Sequence, residues 1–437
     1  MKRLVFALVG VLLLSGTVGA QQKIYTLDDL YRIALANSER IMISQENVRI
    51  AEANKGRAVS ALFPRLTGFG NYTKYTESKQ TGASGAVIQP GNAASWGARL
   101  DQSMYLNGRE ITAFQIADEN VQRTRYDHRA AQEDYLMSGQ LGVQSVTAAF
   151  YEVLRARKGI EITDSNVERL TKYRNAANTR LKVGEVTKTA LLRAEGELSG
   201  AVSEQIRAKN IYELARAQLV RLTGIPPDFE LKEIPPEEPQ DLRLEDLQKS
   251  ALQTRSEMKS LELQKDMAEK NVKFVKGLFW PNLALSAVYV GADQDPAGPT
   301  FNQESTFGGV TLTYPLFEGG LRRAEVDQAR AQQRQSDLLY ADTAKTVSVE
   351  VQNAYLELIT QRGILKSLQD QLAFATDNYS AVSRQFDLGL ASSLDVLDAN
   401  NLLVSAQRQL ANAEYGYQIA IFRLKRTTGL LLADLKQ

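Results

Sequence analysis

Asp395 and Asp398 are the residues whose type and spacing most suggest a chemical role. They lie in the stretch FDLGLASSLDVLDANN, residues 386–401. A spacing of three residues places both carboxylates on one face of a helix. Carboxylates that are crowded together repel each other, which raises some of their pKa values, and they attract cations.

The same stretch also fits an ordinary helix start. Ser392 can cap the helix, and Asp395 three residues later completes a pair that resembles a capping box. Both acids suit the positive end of the helix dipole. Asp398 lies a turn too deep for capping, so a functional interpretation rests more on Asp398 than on Asp395.

The other residue types disfavour an enzyme. The chain has no cysteine and one histidine, His128, which we interpret as a surface residue of a charged helical stretch. A zinc site of the Cys/His type is therefore excluded. Phosphate-binding and dinucleotide-binding glycine motifs are missing, and the acids are scattered as on solvated helix faces. We expect no catalytic residue, no metal site and no cofactor; a hydrolase hidden in the helices is an alternative that these absences oppose.

Residues 1–20 have the layout of a secretory signal peptide, since a short positive start precedes an apolar run and small residues. A buried N-terminal helix is the alternative. No later stretch holds the ~18 uninterrupted apolar residues of a membrane-spanning helix. If the chain enters a membrane, it must therefore do so with strands closed into a barrel. The 52 basic and 51 acidic residues balance, which argues against a nucleic-acid partner.

The chain repeats itself. Five stretches of the first half recur in the same order in the second, and a length of 437 residues favours two domains or a repeated unit. We predict tandem repeats over residues 21–230 and 231–437. The proline-rich segment at 225–243 is interpreted as a linker. The matching pairs are 25–35 with 242–252, 61–69 with 278–286, 105–110 with 316–321, 180–194 with 385–399, and 212–224 with 417–429.

Long proline-free stretches predict long helices. Neither 91–225 nor 316–437 contains a proline, which costs about 3 kcal/mol inside a helix. If Leu321 to Leu388 is one helix, it is about 100 Å long, several times the ~30 Å apolar core of a bilayer. Such helices must lie in water, packed on one another, and a soluble coiled coil is the alternative.

Two β-hairpins are expected, at about 66–106 and about 283–316. The segments 95–106 and 307–316 alternate apolar and polar residues, which is the period of a strand. Each repeat thus reads as a helix, a hairpin, a very long helix, a turn and a helix. Four strands cannot close a barrel, which takes about eight, so either several chains contribute or the sheet stays open.

The ordered set of these features resembles the TolC-like outer membrane efflux protein family, from about Tyr25 to Leu432. The similarity rests on the doubled layout, on an L-F-P-x-L motif at 62–66 with its counterpart FWPNL at 279–283, on PLFEGG at 315–320, and on glycine turns followed by DVLDA. The resemblance implies a mainly α fold with a small β part. It implies a homotrimer with a long-helix periplasmic α-barrel continuous with a 12-stranded outer-membrane β-barrel, four strands from each chain.

The same resemblance implies a function and partners. The trimer would sit in outer membrane lipid, extend into the periplasm, and bind a periplasmic adaptor (membrane fusion) protein and an inner-membrane transporter. It would be a passive exit duct of a tripartite efflux or type I secretion system. The alternative from another class is a periplasmic coiled-coil scaffold without a pore.

Residue roles follow from the resemblance as well. Asp395 and Asp398 would line the periplasmic aperture, and Lys188 or Arg193 could pair with them, because the lock used by some family members is replaced here by Ala190, Phe386 and Ala391. A plain helix–turn–helix corner is the alternative for the adaptor-docking tips. The expected tips are Val183, Gly184, Glu185, Leu388, Gly389 and Leu390, and the expected strand–helix corners are Gly108, Gly319 and Gly320.

Overall fold

The structure is a computed structural model that describes residues 23–82, 86–137, 145–233, 243–298 and 300–432. The expected signal peptide, 1–20, lies outside these residues. The described chain is mainly helical with a small β part, as predicted. No helix of the described ranges combines the length and the apolar character needed to cross a membrane.

The elements follow one another along the chain in this order. The helices are α1 (Leu27–Asn37), α2 (Glu39–Ser60), α3 (Arg109–Leu136), α4 (Val146–Lys182), α5 (Lys188–Thr223), α6 (Leu244–Thr254), α7 (Ser256–Lys276), α8 (Leu321–Asp387) and α9 (Ser393–Thr427). The strands are β1 (Lys23–Tyr25), β2 (Arg65–Lys74), β3 (Lys79–Gln80), β4 (Val87–Gln89), β5 (Asn92–Tyr105), β6 (Phe229–Leu231), β7 (Asn282–Asp295) and β8 (Glu304–Thr313).

The chain divides into two compact units, and each unit takes elements from both predicted repeats. The first unit comprises Met1–Asn37, Val146–Glu237 and Leu368–Tyr415. The second comprises Ser38–Ser145, Glu238–Ser367 and Gly416–Gln437. Helices α8 and α9 contribute residues to both.

The second unit contains a four-stranded antiparallel sheet in the order β2-β5-β7-β8. Both predicted hairpins are present, because β2 pairs with β5 and β7 pairs with β8. Strand β8 ends at Thr313, before Pro315, since proline has no N–H for the ladder. The predicted end at 316 was therefore too late.

The register gives this sheet one face that is mainly apolar and one that is mainly polar but also carries Phe69, Val288, Val290 and Phe307. Leu66 pairs with Leu100, and Leu100 pairs with Ala287. Residues paired across an antiparallel ladder share a face, and alternate residues of a strand do too. The apolar face carries Leu66, Tyr72, Trp96, Leu100, Leu283, Leu285, Val310 and Leu312, and the opposite face carries Thr67, Asn71, Ser95, Arg99, Asp101, Ser286, Thr311 and Thr313.

Trp96 shows why this apolar face needs glycine. It pairs with Gly291 on the neighbouring strand. A Cβ atom added at Gly291 would lie 2.6 Å from the indole ring, closer than any side chain tolerates. Glycine therefore makes room for the ring to lie across the sheet.

Two predictions about the connections need correction. Helix α8 runs unbroken for 67 residues, as expected, but the long helix predicted for the first repeat ends at Leu136. There Met137 leaves the helical conformation with φ −144° and ψ 87°. Residues 138–144 lie outside the described part, and α4 begins at Val146. The predicted linker at 225–243 contains strand β6, which pairs in parallel with β1, while its residues 234–242 are outside the description.

Each unit has its own apolar core. In the first unit the helix ends of α4, α5, α8 and α9 pack around Leu170, Tyr173, Ala177, Ala194, Ala201, Phe386, Val396 and Leu397. In the second, α6, α7, α8 and α9 pack around Leu247, Ala251, Met258, Val347, Val351, Ala354, Leu358, Tyr417, Ala420, Ile421 and Leu424. Both cores use the 3–4 residue spacing that places side chains on one helix face.

The second unit also buries charge. Arg255 and Arg426 are 4% and 7% exposed. The Arg255 guanidinium donates to a carboxylate oxygen of Glu350 at 2.6 Å and to Glu257 at 3.1 Å. Arg426 donates to Glu257 at 2.7 Å and to Asp134 at 3.1 Å. A buried charge without a partner is strongly destabilising, so these pairs fix α3, α7, α8 and α9 to one another.

Glu133 of α3 lies at the edge of this cluster and is 1% exposed. Its carboxylate accepts from Ser256 Oγ at 3.3 Å and from Arg129 Nε at 3.4 Å. Burial, and then the negative charge of Glu257, raise the pKa of Glu133 to about 7, against the pull of Arg129 and Arg426. Burial also opposes ionisation of Glu257, but the bonds from Arg255 and the charge of Arg426 outweigh it and lower its pKa to about 2.

Substituting Glu133→Gln is expected to change how stability depends on pH. A carboxyl whose pKa is higher in the folded chain binds its proton more tightly there, so stability falls as pH rises from about 4.5 to about 7. The variant cannot ionise at this position. The difference in Tm between Glu133→Gln and the parent should therefore grow in favour of the variant across that window.

Glu257→Gln tests the cause of the raised pKa. Because the negative charge of Glu257 contributes to the raised pKa of Glu133, removing that charge should bring this pKa closer to its ordinary value and weaken the dependence of Tm on pH. Thermal unfolding followed by circular dichroism at several pH values measures both effects. Parallel curves for Glu133→Gln and the parent would contradict the assignment.

Candidate functional site

Two similar turns of the first unit hold most of the expected site residues. One joins α4 to α5 at Gly184, and the other joins α8 to α9 at Gly389. Their φ angles are 81° and 78°, in the left-handed region that favours glycine. In each turn the residue after the glycine donates its N–H to the carbonyl five residues earlier, from Glu185 to Arg180 at 2.9 Å and from Leu390 to Gln385 at 2.8 Å. Both helices therefore end in the same hydrogen-bonded motif.

The side chains beside these glycines are apolar and exposed. Val183 is 66% exposed, Leu388 is 74% exposed and Leu390 is 77% exposed. Single exposed apolar residues are common on protein surfaces, so the exposure of these three side chains by itself assigns them no role.

The Asp395 carboxylate takes part in capping the start of α9. Its Oδ2 accepts the backbone N–H of Ser392 at 2.8 Å and the Ser392 hydroxyl at 2.7 Å. These two bonds lower the pKa of Asp395. The Ser392 hydroxyl oxygen lies 3.3 Å from the Asp395 backbone N–H, so the bonding is reciprocal, as in a capping box.

Asp398 has a different environment, although it lies on the same helix face. It is exposed, and within the described part of the chain it has neither a hydrogen bond nor an ion pair. Lys188 and Arg193 likewise form no ion pair with Asp395 or Asp398 in the described residues. The pairing expected from the sequence is therefore missing within one chain.

Sequence reasoning missed Arg180 and Tyr173, which hold the second turn. The Arg180 guanidinium donates to the carbonyls of Phe386 at 2.7 Å and Asp387 at 3.0 Å. It also lies over the Phe386 ring, 4.2 Å from the centroid. The Tyr173 hydroxyl donates to the carbonyl of Ser393 at 3.0 Å. Nothing in the type or spacing of these two residues distinguishes them from other basic and aromatic residues of the helices.

A cleft of about 620 Å³ with mixed polar and apolar walls lies between the two turns. It is bounded by charged and hydroxyl side chains from both sides, including Glu185, Arg193 and Ser392. Within the described residues no group of three or more His, Asp or Glu side chains could hold a metal ion. The cleft therefore offers hydrogen bonds and charge.

The predicted corner glycines all adopt left-handed backbone conformations between a strand and a helix. Gly108 has φ 71° and precedes α3, and Gly319 and Gly320 have φ 60° and 90° and precede α8. Residues with a Cβ rarely adopt such angles. Glycine thus permits the chain to change direction after β5 and after β8.

His128 is half-buried, which corrects its interpretation as a surface residue. Its Nδ1 lies 2.5 Å from the Ser44 hydroxyl, and its Nε2 lies 3.1 Å from the Gln132 amide nitrogen. Ser44 donates its own hydrogen to the Ile41 carbonyl, so Nδ1 is the donor to Ser44 and Nε2 accepts from Gln132. Burial lowers the pKa of His128, and the neutral ring joins α2 to α3.

Known proteins share both the sequence pattern and the fold of this chain. The model of the family described as "Outer membrane efflux protein" matches residues 30–225 and 247–430. The outer membrane efflux protein BepC of Brucella suis is 27% identical, over 99% of this chain and 91% of its own. The outer membrane protein TolC of Escherichia coli is 23% identical, over 99% and 87%. The crystal structure of the outer membrane protein VceC of Vibrio cholerae superimposes with a TM-score of 0.79 at 17% identity, over 92% of this chain and 96% of that one.

The chain belongs to the outer membrane efflux protein family, because the family match covers far more than half of it. It is an outer membrane protein that serves as an exit duct for efflux or secretion. Its family and structural neighbours are outer membrane channels. The resemblance found in the sequence indicated the same class of protein.

Substituting Asp395→Ala is expected to loosen the start of α9, whereas Asp398→Ala is not. The first variant loses both bonds to Ser392, while the second loses no bond within the described chain. Hydrogen exchange measured by mass spectrometry should show faster exchange at residues 392–396 in Asp395→Ala alone. Equal acceleration in both variants would mean that Asp398 also stabilises the helix start.

Proposed function

We propose that three copies of the chain close their sheets into one 12-stranded barrel and form a passive exit duct. The observation that carries this proposal is the pair of edge strands. In the described sheet β2 and β8 are the edges, and each is 10 residues long. Four strands are too few to close, and unpaired edges are a liability that barrels abolish. Pairing β8 of one copy with β2 of the next would satisfy both.

The two faces of the sheet support a membrane location for this barrel. A strand that spans an outer membrane needs about 9–11 residues and alternates apolar outward with polar inward. Leu66 and Val310 are each 71% exposed, and Leu312 is 61% exposed. Outer membrane lipid would cover this apolar face, and the Thr, Asn and Arg side chains of the other face would line the lumen.

The long helices would then form the periplasmic part of the duct. Helix α8 alone has 67 residues, or about 100 Å at 1.5 Å per residue. Helices from three copies, packed side by side, would continue the barrel as an α-helical tunnel.

The tandem repeats predicted at 21–230 and 231–437 are part of this proposal. Two observations support them. Both repeats have the same order of two helices, two long strands and further helices, and the family match is divided into two stretches.

The two turns would form the periplasmic end of the duct. Val183, Leu388 and Leu390 present exposed apolar side chains that suit docking of a periplasmic adaptor, and the remaining tip residues are Gly184, Glu185 and Gly389. An inner-membrane transporter would supply the driving force. The duct itself would perform no reaction. Cargo could be a small compound or a secreted protein, because the described polar residues select neither.

Asp398 is the residue that we propose for the aperture. Asp395 is held by Ser392, while the Asp398 carboxylate is free in the described chain to face the solution. Three copies would place three Asp398 carboxylates around the opening, with those of Asp395 one helical turn away. Rings of carboxylates favour cations.

Conductance in planar bilayers tests the proposed function. The protein, extracted in detergent, should insert and give discrete current steps with a preference for cations. Asp398→Asn should reduce this preference more than Asp395→Asn, since both remove a charge but only Asp398 is free of local bonds. Reversal potentials in a salt gradient measure the preference.

Two results would contradict parts of this proposal. Equal effects of the two asparagine variants would remove the special role of Asp398 and keep the duct. A protein that stays soluble without detergent and gives no current steps would instead support the periplasmic coiled-coil scaffold.

A further inference from the structure

We infer that Arg180 and Tyr173 of α4 are positioning residues that hold the periplasmic aperture closed. They do so by binding the α8–α9 turn before and after Gly389. We name the pair the α4 latch. The inference rests on the proposed function, because it concerns the opening of the duct. The contacts that carry it lie within one chain and within the first unit.

Arg180 forms hydrogen bonds with the C-terminal end of α8. The last carbonyls of a helix lack partners inside the helix and carry partial negative charge. Two of them, on Phe386 and Asp387, accept from the two terminal nitrogens of Arg180. The planar guanidinium offers its donors in a rigid fork, which a lysine cannot reproduce.

The surroundings of Arg180 restrict its movement. Its side chain is only 18% exposed, with Glu185 3.9 Å away. One face of the guanidinium lies on the Phe386 ring, and Phe386 is itself buried in the core of the unit. Arg180 is thus bound both to the backbone and to the side chain of the α8 terminus.

Tyr173 forms a hydrogen bond with the beginning of α9. It lies seven residues before Arg180, two helical turns away on the same face of α4. Its hydroxyl donates to the carbonyl of Ser393, and its ring lies 5.4 Å from the Phe386 ring. The two latch residues therefore hold the α8–α9 turn on either side of Gly389.

The latch governs where the aperture acids lie. Ser393 is the first residue of α9, and Asp395 and Asp398 stand in its first two turns. If the turn moves away from α4, the bonds from Arg180 and Tyr173 break together. Helix α4 also binds α9 at Asn400, which accepts from Arg169 and donates to Asn166. The α4 latch adds the bonds that act at the turn itself.

Single-channel recording of the full protein tests the latch. Arg180→Ala should raise the ratio of open to closed time at least about tenfold, since two bonds from a charged donor are lost. Tyr173→Phe, which removes one oxygen, should raise it less. Arg180→Lys should restore part of the closure, because it keeps the charge without the fork. Lys182→Ala is the matched control, since it removes a positive charge from the same helix end at an exposed position.

Hydrogen exchange provides a second readout that does not depend on the channel. Residues 388–394 should exchange faster in Arg180→Ala and Tyr173→Phe than in the parent and in Lys182→Ala. If Arg180→Ala does not fold, Tyr173→Phe still decides, because it leaves the core packing intact. Wild-type open times and exchange rates in both latch variants would overturn the inference and leave the duct in place. A parent protein without any current steps would overturn the proposed function itself.

Discussion

The structure depends on one constraint, which is that the backbone N–H and C=O groups of β2 and β8 need partners. In a sheet of four strands the two edges remain open, and an open edge invites uncontrolled pairing. Both edges are 10 residues long, and the register gives the sheet an apolar face. In the proposed barrel of three copies, both requirements would be met at once. The long helices, the glycine corners and the turns would then have a fixed end from which to extend.

The two glycine turns show how similar local structures acquire different roles. Gly184 and Gly389 have nearly the same backbone conformation and the same hydrogen-bonded motif. They differ in what surrounds them, because Arg180 beside the first turn reaches across to the second. Asp395 and Asp398 follow the second turn. The bonds from Arg180 therefore restrain the turn that precedes these two acids.

Charge is used differently in the two units. Near the second turn, Asp395 caps the start of α9, while Asp398 is exposed to solvent. In the second unit, Arg255 and Arg426 are buried with matched carboxylates, which costs desolvation and gives specificity only if every charge is satisfied. Glu133 is the member of this cluster that holds its proton near neutral pH.

The sequence by itself determined the features that repeat at short range. Alternation predicted β5 and β8, the absence of proline predicted α8, and single glycines predicted the turns, because each depends on residues within a few positions of one another. Only the tertiary structure decided which helix ends meet. Three features were visible only in the structure: the pairing of β1 with β6, the end of α3 at Leu136, and the bonds of Arg180 to α8. The paired segments are far apart in the sequence and leave no periodic signal. Their partners are backbone carbonyls and buried charges, which many residues of the chain could supply, so geometry alone selects among them.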